Sequence, residues 1–518
     1  MNVAFDAWIP VVTITGEPKL VSLCEALTEC DKFADLAVRP HERVALMRLF
    51  LCVSHAALKG PKNFDEWRDV SKRLPDEACQ YLDVWKDSFE LFHPKKPWLQ
   101  VVGLRKSSDK QDAGVDGWTP ASKLCFFFAT GGNTTLFDHG GMDSAGRAIP
   151  PQDSLLSMLT FQCFSPGGLI SQVYWNSSQT AKSSRDAPCV SASMMHAFLR
   201  GNDLADSIRL NLPTFQDVCR SYGTSELGRP VWEQMPSSMN DQAKIKNATE
   251  TYIGRLVPIT RLIQFHLNGK QILLGDGLVY RSFTDGFPPE PSATVVVRKD
   301  RRGLLSYRPQ RAIWRELGAV LAKRNAEGIG GPLTLRALQD GDECDLVVAA
   351  LARDQATIVD TIESVFHIPA RLRSPNGAAV YESEVRESEF IASRLGWAIE
   401  AYRSAFDGGW EGRMKGAGPS KWELKTKLHS AALIHYWTMV EKNLPLLMAH
   451  IEAIGTDNAM PTRDAWRRML FAKACEAYRA TCGHETPRQM HAFTEGWKEL
   501  VSKKKDSETE SPEKEEGA

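Results

Sequence analysis

The sequence predicts an α+β protein: a large mixed N-terminal domain of short strands and helices over residues 1–376, a C-terminal antiparallel four-helix bundle over 377–502, and a charged tail over 503–518. Three observations carry this. A chain of 518 residues is too long for one hydrophobic core. Up to about residue 370, strand-like runs and helical periods are interleaved without the strict βαβ alternation of a doubly wound sheet. Beyond about residue 380, the apolar spacing becomes purely helical.

In the N-terminal part, the strand candidates are WIPVV (8–12), QILL (271–274), LVYRSF (278–283), ATVVVRK (293–299) and GLLSYR (303–308), each bounded by Gly, Pro or Asp turn signals. A helix is predicted over 41–58, with Val44, Met47, Leu51 and Ala57/Leu58 on one side, and another over 77–92. The run SLLSMLTFQCF reads as a short apolar helix ending at Ser165-Pro166-Gly167-Gly168, where bare glycine backbone can approach a ligand closely. Residues 346–366 read as an apolar strand or the end of a helix, a polar turn at Arg353, Asp354, Gln355 and Ala356, and a helix.

The C-terminal part supplies four helical patterns. The first carries Phe390/Ile391, Leu395, Ala398, Tyr402 and Phe406, and is closed by DGGWEGRMKGAGPS. The second carries Leu424, Leu428, Ala431, Ala432 and His435, and kinks or ends near Pro445. The third carries Trp466, Met469, Leu470 and Ala477 and stops at Gly483. The fourth opens on Thr486 as N-cap, Pro487 in the first turn and Gln489 closing a capping box. Its apolar face is Met490, Phe493, Trp497 and Leu500/Val501, with Phe493 and Trp497 as core anchors. Short to medium loops between such helices make an antiparallel bundle. The tail KKKDSETESPEKEEGA has no apolar face and reads as disordered.

Composition narrows the function. Hydrophobic content of 43% and charged content of 25% are ordinary for a globular protein, and a net charge of −1 excludes a globally basic nucleic-acid binder. Any such surface is a local patch. No apolar run approaches the ~18 residues of a membrane span, which places the chain in the cytoplasm. The eleven cysteines form no CxxC pair, and many, such as Cys52, sit in apolar patterns, so they read as reduced thiols rather than disulfides or zinc ligands. The run Gly328 to Pro332 is not GxGxxG, and GxxxxGK[ST], HExxH and GxSxG do not occur. Asp138 and His139, with Asp143, could serve a metal-dependent enzyme acting on nucleic acid, but no second histidine cluster stands at ligand spacing. No metal and no cofactor are expected.

One segment stands apart: FATGGNTTLFDHGG, residues 128–141, places glycines, small hydroxyls and the aromatic Phe137 in a stretch with no periodic apolar face. Such a loop suits contact with a nucleic-acid backbone or base. The run Arg298-Lys299-Asp300-Arg301-Arg302 reads as a hairpin-like turn, either solvated or facing DNA.

FDAWIPVVTITGEPKLVSLCEAL, RPHERVALMRLFLCVSHAAL, FELFHPKKPWLQ, TGGNTTLFDH and YIGRLVPITRLIQF follow one another in order along the chain. Their order and spacing resemble the CasA family, the large subunits of the type I-E CRISPR Cascade surveillance complex, from Phe5 to near Leu500. The resemblance implies a non-catalytic subunit that binds other Cascade subunits, guide CRISPR RNA and target double-stranded DNA, and helps recruit a helicase-nuclease. It further implies that Asn133, Thr134, Thr135, Phe137, Asp138 and His139 form the loop reaching the guide RNA and neighbouring target. Arg353, Asp354, Gln355 and Ala356 match a wedge inserted beside the protospacer-adjacent motif (PAM), with Gln355 at the glutamine position. Asp354 departs from the amide that precedes the glutamine in the best-known relatives. Gly167 and Gly168 match a PAM-reading glycine loop, and Lys270 and Arg281 are the candidates for a lysine finger. The cysteine-rich zinc knuckle of some relatives has no counterpart here.

Overall fold

The computed structural model describes residues 1–106, 118–126, 149–168, 170, 172–176, 178–180, 185–266, 269–325, 327–338, 343–354, 357–406 and 419–502. The chain divides into two compact units between Ala370 and Arg371. The first is a mixed α/β unit of short elements and the second is a helical bundle.

The helix Pro40–Leu58 lies in the core of the first unit. It is apolar on all sides rather than on one stripe, and Leu46, Leu49, Phe50, Cys52 and Val53 are buried together with Val44 and Leu51. A helix buried all round leaves Arg48, in its middle, without a solvated face. Arg48 is therefore paired inside: its Nη1 donates to Glu290 Oε2 at 2.9 Å and its Nε to the Leu256 carbonyl at 2.9 Å. Arg255 holds the other oxygen of Glu290 at 2.6 Å. Although burial alone raises a carboxyl pKa, these two guanidiniums bring Glu290 down to about 2.

The largest sheet is antiparallel and three-stranded, with Cys344–Asp354 between Met195–Arg200 and Thr357–Ile368. The residues after 356 thus form a strand and not the helix expected from their spacing. Leu346 pairs with Phe366, Ala350 with Ile362, and Asp354 with Thr357. Three further three-stranded sheets and the hairpin Val295–Arg298/Arg301–Leu304 complete the sheets of the described residues. In that hairpin Lys299 and Asp300 both have positive φ, the turn geometry that matches strand twist in a two-residue connection.

The strand expected over 278–283 does not form, and this stretch passes into a short 3-10 turn at Phe283–Asp285. Tyr280 turns its ring into the core, where its hydroxyl accepts from Ile259 N at 2.8 Å. The helix expected over 77–92 runs from Val70 to Val84 instead. The strand expected over 303–308 is Arg301–Leu304.

In the second unit, Pro375–Phe406, Pro419–Lys442, Ala459–Thr481 and Pro487–Val501 are the four expected helices, and a short fifth, Leu444–Glu452, carries Pro445 in its first turn. Tyr436 reaches the Ser388 carbonyl at 3.0 Å, Glu384 meets Arg467 at 2.7 Å, and Arg394 reaches the Leu500 carbonyl at 2.5 Å. These contacts tie the other three long helices to the first. The Thr486/Gln489 capping box is present. The buried stripe of the last helix is Ala492, Gly496 and Leu500, whereas Met490 is exposed and Phe493 and Trp497 are only partly covered. Small residues win that face because the helix comes too close for aromatics: a Cβ on Gly496 would stand 2.1 Å from Tyr478 Oη and 2.5 Å from the Ala398 carbonyl. Phe493 and Trp497 stack on one another at 5.8 Å beside Tyr478.

Candidate nucleic-acid interface

The helix Pro151–Phe164 delivers the glycine turn. Its last turns are tied to the neighbouring strand Arg261–Phe265: Gln162 donates to the Arg261 carbonyl at 2.8 Å and accepts from Arg261 N at 3.0 Å. The Arg261 side chain, 1% exposed as a residue, then reaches under the turn. Its Nε donates to Ser165 Oγ at 2.9 Å, and its Nη2 to the carbonyls of Pro166 and Gly168 at 3.0 and 3.2 Å. Its counter-ion is Asp276, 3.1 Å away and equally buried. Burial holds the Arg261 pKa below the usual arginine value, against the pull of Asp276 and Asp186. Gly168 has φ of +146°, a conformation side chains rarely adopt. The last anchor is Asp186, whose Oδ1 accepts from Gly167 N at 2.7 Å.

Asp186 also holds the hairpin. Its Oδ2 accepts from the Arg353 guanidinium. The backbone N–H of Arg353 goes to Ser193 Oγ at 3.1 Å. Lower on the same hairpin, Tyr307 donates to Asp360 at 2.8 Å and Arg43 to Glu363 at 2.7 Å. Asp354 is exposed. Gln355 and Ala356, which link the paired residues Asp354 and Thr357, lie outside the described residues. One carboxylate therefore brings together two segments that the sequence places far apart, the glycine turn and the end of the long hairpin.

The other expected residues are distributed. Lys270 is exposed at the turn joining Arg261–Phe265 to Gln271–Asp276, the end away from Arg261, roughly 13 Å along the strand. Arg281 is also exposed, donates to the Asp285 carbonyl at 2.9 Å, and lines with Asp186 one small cleft. Of the two lysine-finger candidates, only Arg281 is brought to this neighbourhood. Asn133, Thr134, Thr135, Phe137, Asp138, His139 and Asp143 lie outside the described residues. Among the described residues no group of His, Cys, Asp and Glu could hold a metal ion, and no helix is long and apolar enough to cross a membrane.

Asp186, Arg261, Asp276 and Ser193 were not singled out by the sequence. For Arg261 a signal existed: an arginine inside VPITRLIQF, with apolar residues on both strand faces, must be buried and paired. Asp186 sits in a stretch without periodicity and gives none.

The first unit thus presents a braced glycine turn beside the end of a long hairpin, and the second is a helical bundle. Residues 2–477 match the family of CRISPR-associated protein Cse1. The curated CRISPR-associated protein CasA/Cse1 of Thermus thermophilus is 28% identical over 507 residues, covering 93% of this chain and 92% of that one. The structure of Thermus thermophilus CasA (Cse1) superposes with a TM-score of 0.75 at 22% identity, over 96% of this chain and 98% of that one. A chain of a structure described as a CRISPR RNA-guided surveillance complex superposes with a TM-score of 0.70 at 16% identity, over 97% and 99%. The chain belongs to the Cse1 family of CRISPR-associated proteins. Members of this family are non-catalytic recognition subunits, consistent with a chain that is not an enzyme.

Proposed function

We propose that this protein is the subunit of an RNA-guided type I-E surveillance complex that recognises the PAM in double-stranded DNA and starts strand separation. It acts with other Cascade subunits, guide CRISPR RNA and target DNA, and helps recruit the helicase-nuclease. The observation that carries this is the meeting of the glycine turn and the hairpin end on Asp186. The Pro166 and Gly168 carbonyls and the Gly167 N–H are held by Arg261 and Asp186, and Gly167 and Gly168 add no side chain to the turn's surface. Such a surface fits closely against a groove and excludes bases whose edges project into it. The hairpin end beside it supplies the wedge, Gln355 and Ala356, with Arg353 and Asp354 at its base.

Exchanging a DNA duplex for a guide–target duplex is close to balanced, so a protein that offsets unstacking of the first step, a few kcal/mol, decides where opening starts. The loop containing Asn133, Thr134, Thr135, Phe137, Asp138 and His139 is assigned to the guide RNA and adjoining target, Phe137 by stacking. The test is to assemble the complex with and without this subunit and measure R-loop formation on targets differing only in the flanking motif. Motif-dependent opening that requires the subunit supports the reading. Equal opening on all flanking sequences, or opening without the subunit, rejects it.

A further inference from the structure

Resting on that reading, we infer that Asp186 is a positioning residue that fixes the distance and angle between the glycine turn and the hairpin end, and so sets how strictly the flanking motif is read. Both oxygens of its carboxylate are engaged, Oδ1 by the Gly167 N–H at 2.7 Å and Oδ2 by the Arg353 guanidinium. The side chains of Asp186 and Arg353 are 18% and 21% exposed, so the pair is largely shielded from solvent, where a charge-assisted hydrogen bond is strongest.

The hairpin needs this clamp. Its ladder is regular from Cys344↔Ile368 to Ala352↔Asp360, and then shifts register, so that Arg353 stands opposite Ile358 and Val359 is left over. Such a bulge disrupts pairing locally and lets a strand end bend. Beyond the bulge the pairs Arg353↔Ile358 and Asp354↔Thr357 continue the ladder, and contacts outside it add to what directs the hairpin end. Those of Arg353 include Ser193 Oγ on its N–H and Asp186 on its guanidinium. The glycine turn is fixed independently, because Arg261 holds the Pro166 and Gly168 carbonyls from beneath. Asp186 joins the braced glycine turn to the base of the hairpin end. A base pair that does not fit the turn is then held away from the wedge too, and opening and reading become one event.

The discriminating substitution is Asp186→Asn. Its carboxamide oxygen can still accept from Gly167 N–H, while the charge that holds Arg353 is gone. In the assembled complex, opening of fully paired DNA carrying the preferred motif is expected to slow about tenfold, the scale of one charge-assisted hydrogen bond. The ratio of opening rates between preferred and singly substituted motifs is expected to shrink, while a target already mismatched open beside the motif opens at nearly the wild-type rate. Arg353→Gln should reproduce this pattern, and the double variant should be no worse than either single one, because the two share a single interaction. Should Asp186→Asn fail to fold, Arg353→Gln carries the same readout from the other side of the pair. Unchanged motif ratios with full wild-type selectivity, or additive losses in the double variant, overturn the inference and leave the proposed function standing. A wild-type complex that opens every flanking sequence equally overturns the proposed function itself.

Discussion

Gln355 and Ala356 lie in sequence between Asp354 and Thr357, which pair at the end of the ladder, and on the proposed function Gln355 is the wedge. A neutral amide there can enter a minor groove without adding charge and can hydrogen-bond to base edges exposed as the first pair opens. Gln355→Ala should leave assembly and salt dependence nearly unchanged, since no phosphate contact is lost. Guide–target duplex formation should slow sharply on fully paired DNA and recover on a pre-opened target. Equal impairment on both targets would remove the wedge role. Arg261 makes a contrasting prediction, because it works from inside. Arg261→Ala would leave the carboxylate of Asp276, 1% exposed, without its counter-ion, and should destabilise the N-terminal unit by about 3–5 kcal/mol, the cost of breaking a buried pair. Chemical denaturation of the isolated protein measures this; a loss under about 1 kcal/mol would mean the turn is held by other means.

At the scale of elements, the four bundle helices, the helix Pro40–Leu58 and the helix leading into the glycine turn were legible, because long apolar periods and caps are local signals. The hairpin was not. In TIVDTIESVFHI, Ile358, Ile362 and Val365/Phe366 fall at helical spacing, although the run is rich in β-branched residues that favour a strand. What decided the matter is a long-range partner: Cys344–Asp354 pairs with this run on one side and with Met195–Arg200 on the other, and no local pattern reports that. The last bundle helix shows the same limit in finer detail. Periodicity put Phe493 and Trp497 at the core, but the close approach at Gly496 rotates the buried face onto Ala492, Gly496 and Leu500. Gly496→Leu should therefore destabilise the bundle by at least about 1–3 kcal/mol through overpacking. Trp497→Ala should cost less than the ~3–5 kcal/mol of a fully buried aromatic. Thermal or urea unfolding of the two variants gives the order, and the reverse order would restore the tryptophan as the anchor.

For the whole molecule, the net charge of −1 conceals local asymmetry: Arg298, Lys299, Arg301, Arg302, Arg308, Arg311, Arg315, Lys323 and Arg324 stand against Asp300 and Glu316 over one short stretch. The interior carries a further global consequence. His41, His55 and His196 are buried, and desolvation lowers their pKa values to about 3, about 3 and about 4. His196 Nε2 donates to the Cys189 carbonyl at 2.8 Å, a bond that works against the desolvation, and its Nδ1 accepts from Ser292 Oγ at 2.8 Å. In the unfolded chain each imidazole takes up a proton below about pH 6.5. Between that value and about pH 4, the unfolded state binds more protons than the folded one, so stability is full above the window and falls as pH drops through it. Three such groups give a slope of at most roughly 4 kcal/mol per pH unit. Glu290, with its pKa lowered to about 2, adds a loss of the same sign only below about pH 4.5, its unfolded value. The N-terminal unit should therefore lose melting temperature steeply between about pH 6.5 and 5, before its buried carboxylate begins to titrate. Calorimetric melting across that range, with proton uptake on unfolding approaching about three, checks this. Replacing His196 by Gln should lower the uptake by about one proton. A melting temperature flat from about pH 7 to 5 would mean that these imidazoles are protonated in the folded state, and that their surroundings are wetter than their packing implies.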